Sequence, residues 1–232
     1  MLFAILALIG GVAWMVVYVG IIYRGLKDKT YGMPLPALVL NISWEFIFSF
    51  LAPGKFAPQV AINVVWFFLD LVILYTYFKY GRKDFPESVD PKWFVPWTLL
   101  ALVAGFALQY SVVLEFPNAV VGATVEDARV VQTYCAYLVN LVIAVSFIGM
   151  LVRRNGVEGQ SMTIAISKWI GTAAVTVSIY LQTGSPLLLV LGIAIFVFDA
   201  IYTVMLRKKL DEVTAREASF EGIRGATASA DA

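Results

Sequence analysis

The chain reads as an all-α polytopic membrane protein, one bundle of seven transmembrane helices. Three observations predict it. Of 232 residues, 60% are hydrophobic and the mean hydropathy is +0.82, well above the roughly 45–50% apolar content of soluble domains. The apolar residues fall in runs of about twenty, the length at which a helix crosses a bilayer. Lys and Arg sort to one side once seven spans are drawn.

The predicted spans are 2–23, 35–52, 60–78, 95–115, 130–152, 162–182 and 186–206. The first lacks a preceding basic stretch and is too long for the apolar core of a secretion signal, so it is read as a spanning helix. Pro34 and Pro36 fall in the first turn of the second, where proline is tolerated. Basic residues close the odd-numbered spans: Arg24, Lys27 and Lys29; then Arg82 and Lys83, with Lys79 and Lys92; then Arg153 and Arg154; then Arg207 to Lys209, with Arg216 and Arg224 in the tail. The opposite side holds only Lys55 and Arg129, which places the N terminus outside and the C terminus in the cytoplasm. Residues 1–210 form the membrane domain. The tail, 211–232, is polar and rich in small residues and is expected to be disordered.

Composition excludes several classes of function. A net charge of +1 offers nothing to attract nucleic acid. A single cysteine, Cys135, forms no intrachain disulfide. The absence of histidine removes histidine-ligated zinc, di-iron and haem sites, and any imidazole base. A faint internal echo points to a parallel three-plus-one-plus-three repeat. "FFLDLVILYTYFKYGRK" and "FVFDAIYTVMLRKK" each place an aspartate before a Tyr-Thr pair and a basic end, and "YGMPLPALVL" resembles "EGQSMTIAIS".

An ionisable residue near mid-bilayer costs at least about 2.5–3.5 kcal/mol on insertion scales, so each one is a candidate site. Four stand out: Glu45, Asp70, Lys168 and Asp199. At about 1.5 Å per residue, Glu45 lies ~15 Å from the cytoplasmic end of its span, and Lys168 and Asp199 ~11 Å. Asp70 is near the centre of span 3. Helical spacing aligns Asn41, Glu45 and Phe48 in span 2, and Asn63, Trp66, Asp70 and Tyr77 in span 3. It likewise aligns Lys168, Thr172, Thr176 and Tyr180 in span 6, and Phe196, Asp199 and Tyr202 in span 7. These stripes are expected to face one interior cavity walled by aromatic rings and carboxyl groups. Lys168 is expected to pair with Asp199 or Asp70 and hold the bundle together. Glu115, Glu126, Asp127 and Arg129 read as a rim salt-bridge cluster.

The segment "GMPLPALVLNISWEF" resembles a stretch of the small seven-helix terpene cyclases of fungal meroterpenoid and indole-diterpene pathways and their actinobacterial, drimentine-type relatives. The shared pattern is a Gly-Met-Pro turn, then an Asn and a Trp-Glu pair, here Trp44-Glu45, with an acid in the last helix, here Asp199 in "FVFDAIY". The resemblance covers residues 1–210. It implies that Glu45 and Asp199 are the catalytic acids. It also implies a prenylated substrate, farnesylated by expectation, cyclised through a protonated alkene or epoxide. The Asp-rich motifs of metal-dependent terpene cyclases and membrane prenyltransferases are missing from the sequence, so no metal or other cofactor is expected.

Such a reaction explains a carboxyl group placed in hydrocarbon. Burial and a second nearby carboxylate both favour its protonated form, and a Glu45/Asp199 pair would titrate as one unit. Asn41 or Tyr202 would orient the acid. Aromatic faces stabilise the migrating cation at about 0.5–2 kcal/mol each. Trp44, Trp66 and Phe68 are candidates from spans 2 and 3, Trp169 and Tyr180 from span 6, and Phe198 and Tyr202 from span 7. Asn41, Asn63, Asp70 and Lys168 complete the expected substrate-binding set. The expected partners are a prenylated small molecule, the lipid of the cell membrane, and an upstream membrane prenyltransferase. The rival reading is a small proton-coupled transporter with the same repeat. A retinal protein needs a Schiff-base lysine in the last helix, whereas the only intramembrane lysine, Lys168, is in the sixth.

Overall fold

The computed structural model describes residues 2–54, 57–115 and 125–230, except the side chains of 125–130, 217 and 220–230. Among the described residues every regular element is helical. The order is α1 (Leu2–Lys27), α2 (Leu35–Phe46), α3 (Ala57–Tyr80), α4 (Phe94–Glu115), α5 (Val125–Arg154), α6 (Met162–Thr183) and α7 (Pro186–Ala230). A π-helical turn, Ile47–Leu51, extends α2, and 3₁₀ turns at Gly81–Asp84 and Pro91–Trp93 join α3 to α4. Among the described residues six helices are long and apolar enough to cross a membrane, and α2 with its π turn is a shorter apolar helix.

The outward faces are apolar. Trp97, Leu100 and Val103 on α4 are each at least 60% exposed. In water such a face would be a liability; against lipid it is the expected surface. Inside, α1 lies along α6, and the approach needs small residues. A Cβ on Gly10 would sit 2.3 Å from Val175 Cγ2. α3 packs against both α1 and α2, and α7 against both α5 and α6. Across the middle α1 meets α6 and α2 meets α5, so the neighbours among these six helices match on exchange of the first three with the last three, while α4 packs on α2 without a counterpart on α6.

The loops close by specific bonds. α2 starts at Leu35; Pro34 is the extended residue ahead of it, and of the two prolines expected in the first turn only Pro36 lies inside it. Ser161 caps α6, accepting from Ile164 N at 3.3 Å. Gly184, at φ 62°, ends α6 before Pro186 opens α7. At the basic end, Arg154 donates from Nε to Asp84 at 2.9 Å and from Nη1 to the Tyr31 carbonyl at 2.9 Å. Arg153 donates to the Tyr31 hydroxyl at 2.6 Å. Burial nevertheless pushes the Tyr31 phenol up, against the pull of the two arginines.

α7 runs on as a helix beyond the apolar segment, to Ala230. Its first polar turns pair Arg207 with Asp211 and Lys209 with Glu212 at helical spacing. Lys55 and the side chains of Glu126, Asp127 and Arg129 lie outside the described residues; Glu115 is exposed at the end of α4.

Candidate active site

A cavity of about 710 Å³ runs down the bundle, lined by α1, α2, α3, α5, α6 and the start of α7. Its size falls in the roughly 300–1,000 Å³ range of small-molecule sites. One end is polar and uncharged, with Gln59, Gln132, Gln182 and Ser185. The middle is apolar and aromatic, with Trp14, Ile62 and Val175. The deep end holds Tyr18, Asn41, Glu45 and Trp66 on one side and Asn140 and Thr172 on the other.

Local geometry builds the acid end. Asn41 and Glu45 are four residues apart on α2 and therefore share a face; Asn41 Nδ2 donates to Glu45 Oε1 at 3.1 Å. The same nitrogen lies 2.9 Å from Asp70 Oδ2 of α3 and 2.5 Å from the Tyr18 hydroxyl oxygen of α1, so its two hydrogens are shared among three acceptors. The Tyr18 hydroxyl in turn donates to Glu45 Oε1. Asn41 thus links the two carboxyl groups through one nitrogen, 3.1 Å from Glu45 Oε1 and 2.9 Å from Asp70 Oδ2. Both acids are buried, and among the described residues no Lys or Arg pairs with either. Glu45 Oε2 and Asp70 Oδ1 are buried without a hydrogen-bond partner. Tyr18 stacks on Trp66 at 5.8 Å, and Trp44 Nε1 donates to the Gln132 carbonyl at 3.0 Å, tying α2 to α5.

Asp199 is engaged elsewhere. It forms a buried ion pair with Lys168, whose Nζ also lies 5.6 Å from the centre of the Phe147 ring. Of the two partners expected for Lys168, Asp199 is the one it takes. Neither residue lines the cavity, although Thr172, one turn along α6 from Lys168, does. The expected Glu45/Asp199 contact is replaced by Glu45 with Asp70 because α3, not α7, packs against α2.

Of the other expected residues, Asn41, Trp44 and Trp66 line the cavity. Asn63 is buried beside it, accepting from Gln59 Nε2 at 2.8 Å. Tyr202 is buried away from it, its hydroxyl donating to Gln160 at 3.1 Å and its ring edge-on to Phe147. The expected inward aromatic stripes are partly corrected. Phe68, Tyr180 and Phe196 are exposed on the lipid side, and Trp169 packs on Phe196 at 5.0 Å. Phe198 is half-buried against a small cluster with Ile195 and Leu188. The helical stripes of α3, α6 and α7 are narrower than the sequence suggests, because these helices meet lipid over much of their length. Sequence reasoning missed Tyr18, Tyr137 and Asn140. Only the mid-span amide of Asn140 carried a signal, since a tyrosine in an apolar helix looks like a packing residue.

Fold and site define a polytopic helical membrane protein whose cavity ends on a pair of buried acids. The Pyr4-like transmembrane terpene cyclases match it over residues 1–209, and the chain belongs to that family. The Pyr4-family terpene cyclase mfmH of Annulohypoxylon moriforme is 30% identical over 167 residues, 72% of this chain and 65% of that protein. Terpene cyclase pyr4 of Aspergillus fumigatus is 26% identical over 162 residues, 70% of this chain and 64% of its own length. Terpene cyclase atmB of Aspergillus flavus is 26% identical over 204 residues, covering 84% and 80%. The chain thus spans slightly less than two thirds of the first two relatives.

Proposed function

We propose that the protein is a membrane terpene cyclase in which Glu45 protonates the terminal alkene or epoxide of a prenylated, farnesylated substrate held in the cavity. The carrying observation is the Glu45–Asp70 pair at the cavity's deep end, buried and without a counter-cation. Two carboxylates this close in an apolar interior cannot both stay ionised. Glu45 Oε2 and Asp70 Oδ1, each buried without a partner, are the oxygens free to carry that proton. Family membership favours this over transport.

The reaction is an isomerisation. The Glu45 proton adds to the alkene carbon or the oxirane oxygen, and the cation formed is captured by successive π bonds as ring carbon–carbon bonds. A proton then leaves a carbon beside the last cation and returns to the carboxylate pair. Trp44, Trp66 and Trp14 present aromatic faces to the cation without a nucleophile. Asp199 is assigned a positioning role: its carboxylate neutralises Lys168, one turn from Thr172 on the cavity wall. A membrane prenyltransferase is the class of enzyme that supplies the substrate, and the cell membrane, with the N terminus outside, is the proposed setting.

The neighbour pattern of the helices also supports the parallel repeat. Asn41 and Lys168 each follow a glycine, Gly32 and Gly159, by nine residues. Each bonds to the aspartate of the third helix in its half, Asp70 or Asp199.

The test is product analysis by chromatography and mass spectrometry. Membranes carrying the protein are given a farnesylated phenol and its terminal epoxide. A new product of unchanged mass is expected from the wild type. Asp70→Asn keeps the Asn41 contact and is expected to insert normally but turn over on the order of 10–100 times more slowly. Undiminished turnover would remove Asp70 from the acid pair.

A further inference from the structure

We infer that Tyr18 is a positioning residue for the acid: with Asn41 it forms a donor cradle on Glu45 Oε1, which holds the carboxylate that proton transfer leaves behind. This rests on the cyclase reading above. Glu45 Oε1 receives the Tyr18 hydroxyl and a shared N–H of Asn41, with Nδ2 at 3.1 Å, whereas Oε2 receives none. A carboxyl oxygen that already accepts two hydrogen bonds is a poor place for a proton, so the cradle assigns the acidic hydrogen to Oε2.

The cradle is itself held in place. Asn41 Nδ2 lies 2.5 Å from the Tyr18 oxygen, which directs the phenol hydrogen towards Glu45. The Tyr18 ring is fixed by stacking on Trp66 at 5.8 Å and by the tilted Trp14 ring at 6.2 Å. Tyr18 is 2% exposed and projects from α1, whereas both acids come from α2 and α3. Before transfer the cradle contacts a neutral acid. After transfer it contacts an anion, and hydrogen bonds to a charged acceptor are the stronger ones. The donors therefore stabilise the charged state more than the resting state, as preorganised donors do elsewhere in catalysis.

Tyr18→Phe tests the inference, because it keeps the ring and its stacking and removes one donor. With the farnesylated phenol or its epoxide, kcat is expected to fall roughly 10–1,000-fold, the scale of losing one preorganised donor. KM should stay within about twofold, since the hydroxyl faces the acid and adds little uniform binding. The solvent deuterium isotope effect on kcat should rise as proton transfer becomes more limiting. Wild-type kcat, or a loss carried wholly by KM, overturns the inference. Should Tyr18→Phe lose its fold, fluorotyrosines at position 18 preserve the hydroxyl and vary its donor strength. Turnover should follow phenol acidity, and a flat response overturns the inference. Glu45→Gln separates the two levels. An inactive Glu45→Gln beside a wild-type-like Tyr18→Phe sinks only the cradle, and an active Glu45→Gln sinks the cyclase mechanism itself.

Discussion

Glu45→Gln is expected to insert and fold like the wild type and to lose cyclisation by roughly 10²–10⁴-fold, the usual contribution of a general acid. The substitution suits the site. The Gln carbonyl takes the place of Oε1 and still accepts from Tyr18 and Asn41. The new amide nitrogen replaces Oε2, an oxygen that makes no hydrogen bond, so no existing contact is lost. Volume and hydrogen bonding are kept, and only the transferable proton is lost. The check is turnover of the farnesylated phenol and its epoxide in membranes, normalised to inserted protein. Wild-type-like turnover would remove Glu45 from proton transfer.

The second large effect concerns Lys168 and Asp199. Both side chains are fully buried and form one ion pair. Taking two charges out of water costs several kcal/mol per ion, and their attraction repays it only while both are present. Asp199→Leu leaves an uncompensated ammonium, Lys168→Met an uncompensated carboxylate, and each is expected to destabilise the bundle by about 3–5 kcal/mol, whereas the double change Lys168→Met with Asp199→Leu should be near neutral or stabilising. Denaturation in detergent micelles across the four proteins of the cycle measures the coupling. The same four proteins separate positioning from proton transfer. If Asp199 acts by neutralising Lys168, the double variant recovers activity as well as stability. A stable but inactive double variant would return Asp199 to a direct role.

Glu45 was legible because a carboxylate inside an apolar run must have a reason, and Asn41 lies on the same helical face. Asp70 and Lys168 stood out on the same ground. Pairing among the four was not legible, since each helix presents its charge without showing which neighbour it meets. That depends on α3 packing against α2 and α7 against α6. Tyr18 was hidden for a different reason: its role lies in where its hydroxyl points, and an apolar helix gives a tyrosine no distinguishing context. The aromatic residues were over-read. Phe68 and Tyr180 share helical spacing with interior residues but belong to helices that meet lipid on a wide face.

The central claim is that a carboxylic acid at position 45 is kept protonated at neutral pH inside the membrane. Infrared spectroscopy of the purified protein in an ester-free detergent reads this directly, through the carbonyl stretch of an un-ionised carboxyl group. Such a band is expected at neutral pH, lost in Glu45→Gln and retained in the double variant Lys168→Met with Asp199→Leu. A spectrum without it, or a band that survives Glu45→Gln unchanged, would contradict the account.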